Sequence, residues 1–98
     1  MTYLDELAAE IERQVPPDVL PEGDTTLLFR LYALLVLAKG QAVTARDVHN
    51  AWAVWMQESD PAHDSIRPFD ELGAETQAAD EPFVEAIKAA AKRASTIT

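Results

Sequence analysis

Thr25-Thr26-Leu27-Leu28-Phe29-Arg30-Leu31-Tyr32-Ala33-Leu34-Leu35-Val36-Leu37-Ala38 is apolar on nearly every side when wound as a helix, with Arg30 its only charge. A helix of that kind is stable in water only when other elements enclose it. The segment is therefore predicted to be the central helix of the fold. Asp24 is positioned as its N-cap, and Lys39-Gly40 supplies the cation and the left-handed glycine that suit a helix end. The uninterrupted apolar run, Leu31 to Ala38, is eight residues long, whereas spanning a bilayer takes roughly 18 to 20. Any face of this helix left uncovered would be an apolar patch and a candidate surface for self-association or a partner.

Working outward, Leu4, Leu7, Ala8, Ile11 and Val15 follow the spacing of one helical face, and Pro16-Pro17 stops that helix. Pro16 to Gly23 reads as an extended connection packed by Val19 and Leu20. On the other side, Thr44-Ala45-Arg46-Asp47 has the form of a capping box. It opens a third helix with Val48, Ala51, Trp52, Trp55 and Met56 as its buried stripe, ending near Gln57. Ser59 to Phe69 is a loop, Phe69 to Leu72 a turn, and Ala74 to Ala79 a short helical piece. Asp80 is predicted to cap a last helix with Pro82 in its first turn and Phe83, Val84, Ile87, Ala90, Ala91 and Ala94 on its apolar face. The fold class is all-α: one domain over residues 1–98, a small orthogonal bundle of four main helices and one short helix.

The 98 residues hold 8 Lys+Arg against 17 Asp+Glu, a formal net charge of −9. Residues 1–39 contribute −4, residues 40–87 contribute −8 and residues 88–98 contribute +3. Nucleic acid and anionic membranes both demand a basic face, so neither is an expected partner. The absence of cysteine excludes disulfides, thiolate metal sites and cysteine nucleophiles. Acids near the N-terminus and no apolar segment after them give no secretion signal, and a cytoplasmic location is expected. The 48% hydrophobic content supports a folded core rather than a disordered acidic tail.

Two stretches, Asp47-Val48-His49-Asn50-Ala51-Trp52 and His63-Asp64-Ser65-Ile66-Arg67-Pro68-Phe69-Asp70-Glu71-Leu72 continuing to Glu75, Gln77 and Asp80, resemble the ryanodine-receptor repeat domain over roughly residues 44–94. Residues 1–43 would then be added N-terminal helices. That module is a small helical unit of calcium-release channels that also stands alone in bacterial and phage proteins. The resemblance implies the helical fold and, through the channels, an adenine-nucleotide-like ligand. It also implies a host-modulating accessory role for a lone phage or bacterial form. The family's His-Pro is His63-Asp64 here, its Val before Pro is Arg67, its Lys is Gln77, and its Gly-Trp-x-Tyr-Gly segment is absent.

Trp52 and Trp55 share a broad helical face, which reads first as core packing and second as an aromatic wall for a planar ligand. In that second reading His49 and Arg67 supply polar contacts, and Phe69 belongs to the loop that folds over the helix. His49, His63, Asp60 and Asp64 do not follow a metal-ligand spacing. His63 is expected to order its loop, and His49 to be a partly buried helix residue. No nucleophile elbow, phosphate loop or carboxylate dyad is present, so the chain is read as non-catalytic and without a cofactor. Asp60, Asp64, Asp70 and Glu71 form an acidic surface that could meet a basic protein. The leading expectation is a protein-interaction module, by self-association or with another chain. The alternative is a small-ligand module at Trp52, Trp55 and the His63 to Phe69 loop.

Overall fold

Prolines, glycines and short polar side chains cut the chain where its helices begin and end. In the computed structural model, which describes residues 2–97 and the side chains of residues 2–94, five α-helices follow one another: α1 (Tyr3–Gln14), α2 (Thr26–Lys39), α3 (Ala45–Ser59), α4 (Ala74–Ala78) and α5 (Glu81–Ile97). Single 3-10 turns lie at Pro17–Val19, Gly40–Ala42 and Phe69–Glu71. Four long helices and one short one make an all-α bundle. Among the described residues none is long and apolar enough to cross a membrane.

Two capping boxes start helices. Thr44 accepts from the Asp47 amide and Asp47 accepts from the Thr44 amide at the head of α3, and Thr2 and Asp5 repeat the arrangement at α1. The α2 start differs from the sequence expectation. Thr25 holds the cap position without a side-chain hydrogen bond, and Asp24 works from one residue further out, its Oδ1 accepting from the Thr26 amide at 3.0 Å. At the other end Gly40 takes φ +56°, which a side chain would resist, so α2 stops there.

Leu28, Phe29, Tyr32, Ala33 and Val36 of α2 are buried against α1, α3 and α5. The partners are Ala8 and Ile11 of α1, Val48 and Ala51 of α3, and Phe83, Val84, Ala86, Ile87, Ala90 and Ala91 of α5. Enclosure of α2 is incomplete, however: Leu27, Leu34 and Leu37 remain exposed, Leu37 in the wall of a groove shared with α1 and α5. Three further differences are local. Val19 is exposed while Leu20 alone packs on the core, Ala94 is exposed, and Trp52, Trp55 and Met56 are only partly buried. Helix α3 also runs two residues beyond Gln57.

Candidate functional site

The capping box at Thr44 sets the phase of α3, and that phase turns His49 inward beneath the loop that follows the helix. His49 is 3% exposed, more deeply placed than a contact at a pocket mouth would be. Its Nε2 lies 2.7 Å from the Arg67 carbonyl oxygen. A carbonyl can only accept, so this nitrogen carries the proton and donates. The ring stacks on Trp52 (centroids 5.6 Å apart, planes at 24°) and leans on Phe69 at 6.2 Å. His63 meets Trp52 in a T-shaped contact at 5.1 Å, and its own Nδ1 accepts from the Ser65 amide, which closes the loop on itself. Gln77 donates to the Phe69 and Leu72 carbonyls and so ties α4 to the same turn.

This packing leaves a cavity of about 410 Å³ between α2, α3, α4, the start of α5 and the linker before α2. Tyr32, His49, Trp52, Ser65, Thr76, Asp80, Pro82 and Phe83 line it, with Val19 and Pro21 from the linker and Ala78 and Ala79 at the end of α4. The nominated ligand residues divide accordingly. Trp52 and His49 line the cavity and Phe69 supports His49. Trp55 faces elsewhere, its indole N–H donating to the Asp24 carbonyl at 3.1 Å. Arg67 contributes a backbone oxygen rather than its guanidinium, so the lining holds a carboxyl but neither Lys nor Arg to balance a phosphate.

The nominated acidic residues also divide. All four are exposed, and Asp70 alone is held by Arg46, through two hydrogen bonds of 2.7 and 3.1 Å, which keeps its carboxyl below the usual range. Arg46 also lies over the Phe69 ring, 5.6 Å from its centroid. Among the described residues no three His, Asp or Glu side chains come together in a way that could hold a metal ion.

Asp80 is the residue that pattern reading passes over. It precedes α5 as expected of a cap, yet the Phe83 and Val84 amides bond its backbone oxygen, and its buried Oδ2 has no hydrogen-bond partner. Burial pushes the carboxyl up from 3.8 to about 6; the Glu81 charge adds to the rise and His49 opposes it. The same burial, with the Asp80 charge, raises the Tyr32 phenol well above its ordinary value. A carboxyl whose pKa is raised by folding penalises the folded state once ionised. The penalty is absent below about pH 4, grows between 4 and 6 and is complete above 6. Asp80→Asn is therefore expected to stabilise the protein at neutral pH by about 1–2 kcal/mol, a range reduced for the half-buried setting. Thermal melts of both proteins across pH check this, with the two curves converging at acid pH.

Comparison with known proteins settles the family. No curated protein and no solved structure matches the chain. The resemblance to the ryanodine-receptor repeat over residues 44–94 does not hold: no model of that family matches, and the match found spans the N-terminal helices as well. The expected host-modulating phage role rested on that resemblance and loses its ground with it. A family model described as a domain of unknown function fits residues 2–92, and the chain thus belongs to the DUF7701 family.

Proposed function

We propose that the protein is a non-catalytic helical interaction module of the cytoplasm, which pairs through the uncovered leucine face of α2. The observation that carries this reading is the exposure of Leu27, Leu34 and Leu37, at 40, 56 and 55%. Leu27 and Leu34 are two turns apart and so align along the helix, with the partly buried Leu31 between them. Large side chains exposed together on one helix mark an association surface more often than isolated ones do.

The partner that suits this face is a second copy of the chain. Residues 25–46 contain Arg30, Lys39 and Arg46 and no acid. Each of these cations meets a carboxylate from a neighbouring segment: Arg30 with Asp5 at 2.9 Å, Lys39 with Asp47 at 3.7 Å and Arg46 with Asp70 at 2.7 Å. The surroundings of α2 are thus close to neutral in a chain of net charge −9. Two copies meeting along α2 keep their acidic loops out of the contact, and ridge-into-groove packing of the leucines then faces little electrostatic opposition.

Light scattering from micromolar to millimolar protein tests the reading. The wild type is expected to move from monomer to dimer mass, and Leu34→Asp to stay monomeric with an unchanged circular dichroism spectrum. A wild type that remains monomeric at millimolar concentration would overturn it.

A further inference from the structure

The Asp80 carboxyl is not needed for the start of α5. Pro82 has no N–H to cap, and the Phe83 and Val84 amides are satisfied by the Asp80 backbone oxygen at 3.1 and 3.0 Å. Oδ2 nevertheless sits buried and unpaired, and Asp80 lines a cavity whose wall also includes Tyr32, Trp52 and Phe83. An unsatisfied buried acceptor in a native fold calls for a partner. The cavity, at about 410 Å³, lies in the size range of small-molecule sites, and a mainly apolar lining with a few convergent polar groups is their usual composition.

We propose that this cavity binds a small aromatic amine, with its ammonium held by Asp80 and its ring against Trp52. An ammonium supplies the hydrogen bond and the counter-charge that the Asp80 carboxylate lacks, while aromatic faces attract a cation and accommodate the flat body attached to it. Trp52 is held in place by its contacts with the His49 and His63 rings, so little side-chain ordering remains to be done on binding. An anion of the same shape would meet Asp80 and the adjacent Glu81 with no Lys or Arg in the lining to offset them. Binding requires the ionised carboxyl, which burial holds at about 6. The groups acting on Asp80 are His49 from α3, Tyr32 from α2 and Glu81 beside it. Acidification neutralises Asp80 and so releases the amine.

Isothermal titration with 2-phenylethylamine and benzylamine, and with phenylacetate as the acid of matching shape, tests the site on the intact protein. The amines are expected to bind saturably at neutral pH and about tenfold more weakly near pH 5, with phenylacetate showing no heat of binding. Asp80→Asn, which keeps the side-chain volume and favours the fold, is expected to lose amine binding by about tenfold or more. Leu34→Asp, on the opposite side of α2 from Tyr32, leaves it unchanged, so this site and the dimer face stand or fall separately. Failure of both amines at millimolar concentration, equal binding of phenylacetate, or full binding by Asp80→Asn would each overturn the proposal.

Discussion

Tyr32→Ala is expected to lower the stability of the protein by about 3–5 kcal/mol. Tyr32 is 1% exposed at the middle of α2, with its ring edge-on to Phe29 at 5.5 Å and tilted against Phe83 of α5 at 5.7 Å. Truncation removes both contacts and opens the core into the existing cavity on the same side of the helix. A domain of this size holds about 5–15 kcal/mol in all, so the loss is a large share of the total. Urea unfolding should show a lower midpoint with little change in slope. Leu34→Ala provides the matched control, two residues along the same helix but 56% exposed, and should shift stability by no more than about 0.5 kcal/mol. A Tyr32→Ala loss no greater than that of Leu34→Ala would mean that the α2–α5 contact is not the core of the bundle.

The contrast between those two positions also shows where pattern reading stops. In a helix that is apolar all round, Leu28 and Leu27 are the same residue type, and nothing local says that the first is buried and the second uncovered. Only the arrangement of the other helices decides it. The class of the fold was legible because proline, glycine and capping residues act locally; Thr44 and Asp47 announced α3 directly. Thr2 and Asp5 carry the same spacing but read as mere acidity at the chain start.

The candidate site was half legible for a similar reason. His49 and Trp52 could be placed together from their spacing on one helix. That Trp55 would turn to the Asp24 carbonyl, and that Arg67 would offer its backbone, depends on how a loop crosses α3. Asp80 was hidden by its own plausibility, since an acid before a helix is ordinarily a cap. The same ambiguity produced the mistaken family resemblance: histidine, tryptophan and proline in that order serve here to fasten a loop to a helix.

His49 is the fastening point, and His49→Ala is expected to cost about 2–4 kcal/mol. The substitution removes a buried ring stacked on Trp52 and in contact with Phe69, and leaves the Arg67 carbonyl without its donor. His49→Phe separates the two contributions. It restores an aromatic ring of similar size but not the hydrogen bond, so its loss should be the smaller, about 1–2 kcal/mol. Hydrogen exchange locates the effect. The His63 and Ile66 amides, which close turns within the loop through the Asp60 and His63 carbonyls at 3.1 Å each, should exchange faster in both variants. Amides at the centre of α2 should change only as far as global stability does. If the loop amides exchange at the wild-type rate in His49→Phe, the Nε2 bond to Arg67 is not what holds the loop, and the ring contacts alone would have to account for it. The variants also bear on the cavity, because Ser65 in its wall belongs to that loop. A loosened loop should weaken amine binding even with Asp80 intact, in contrast to Asp80→Asn, which removes the charge and leaves the loop in place.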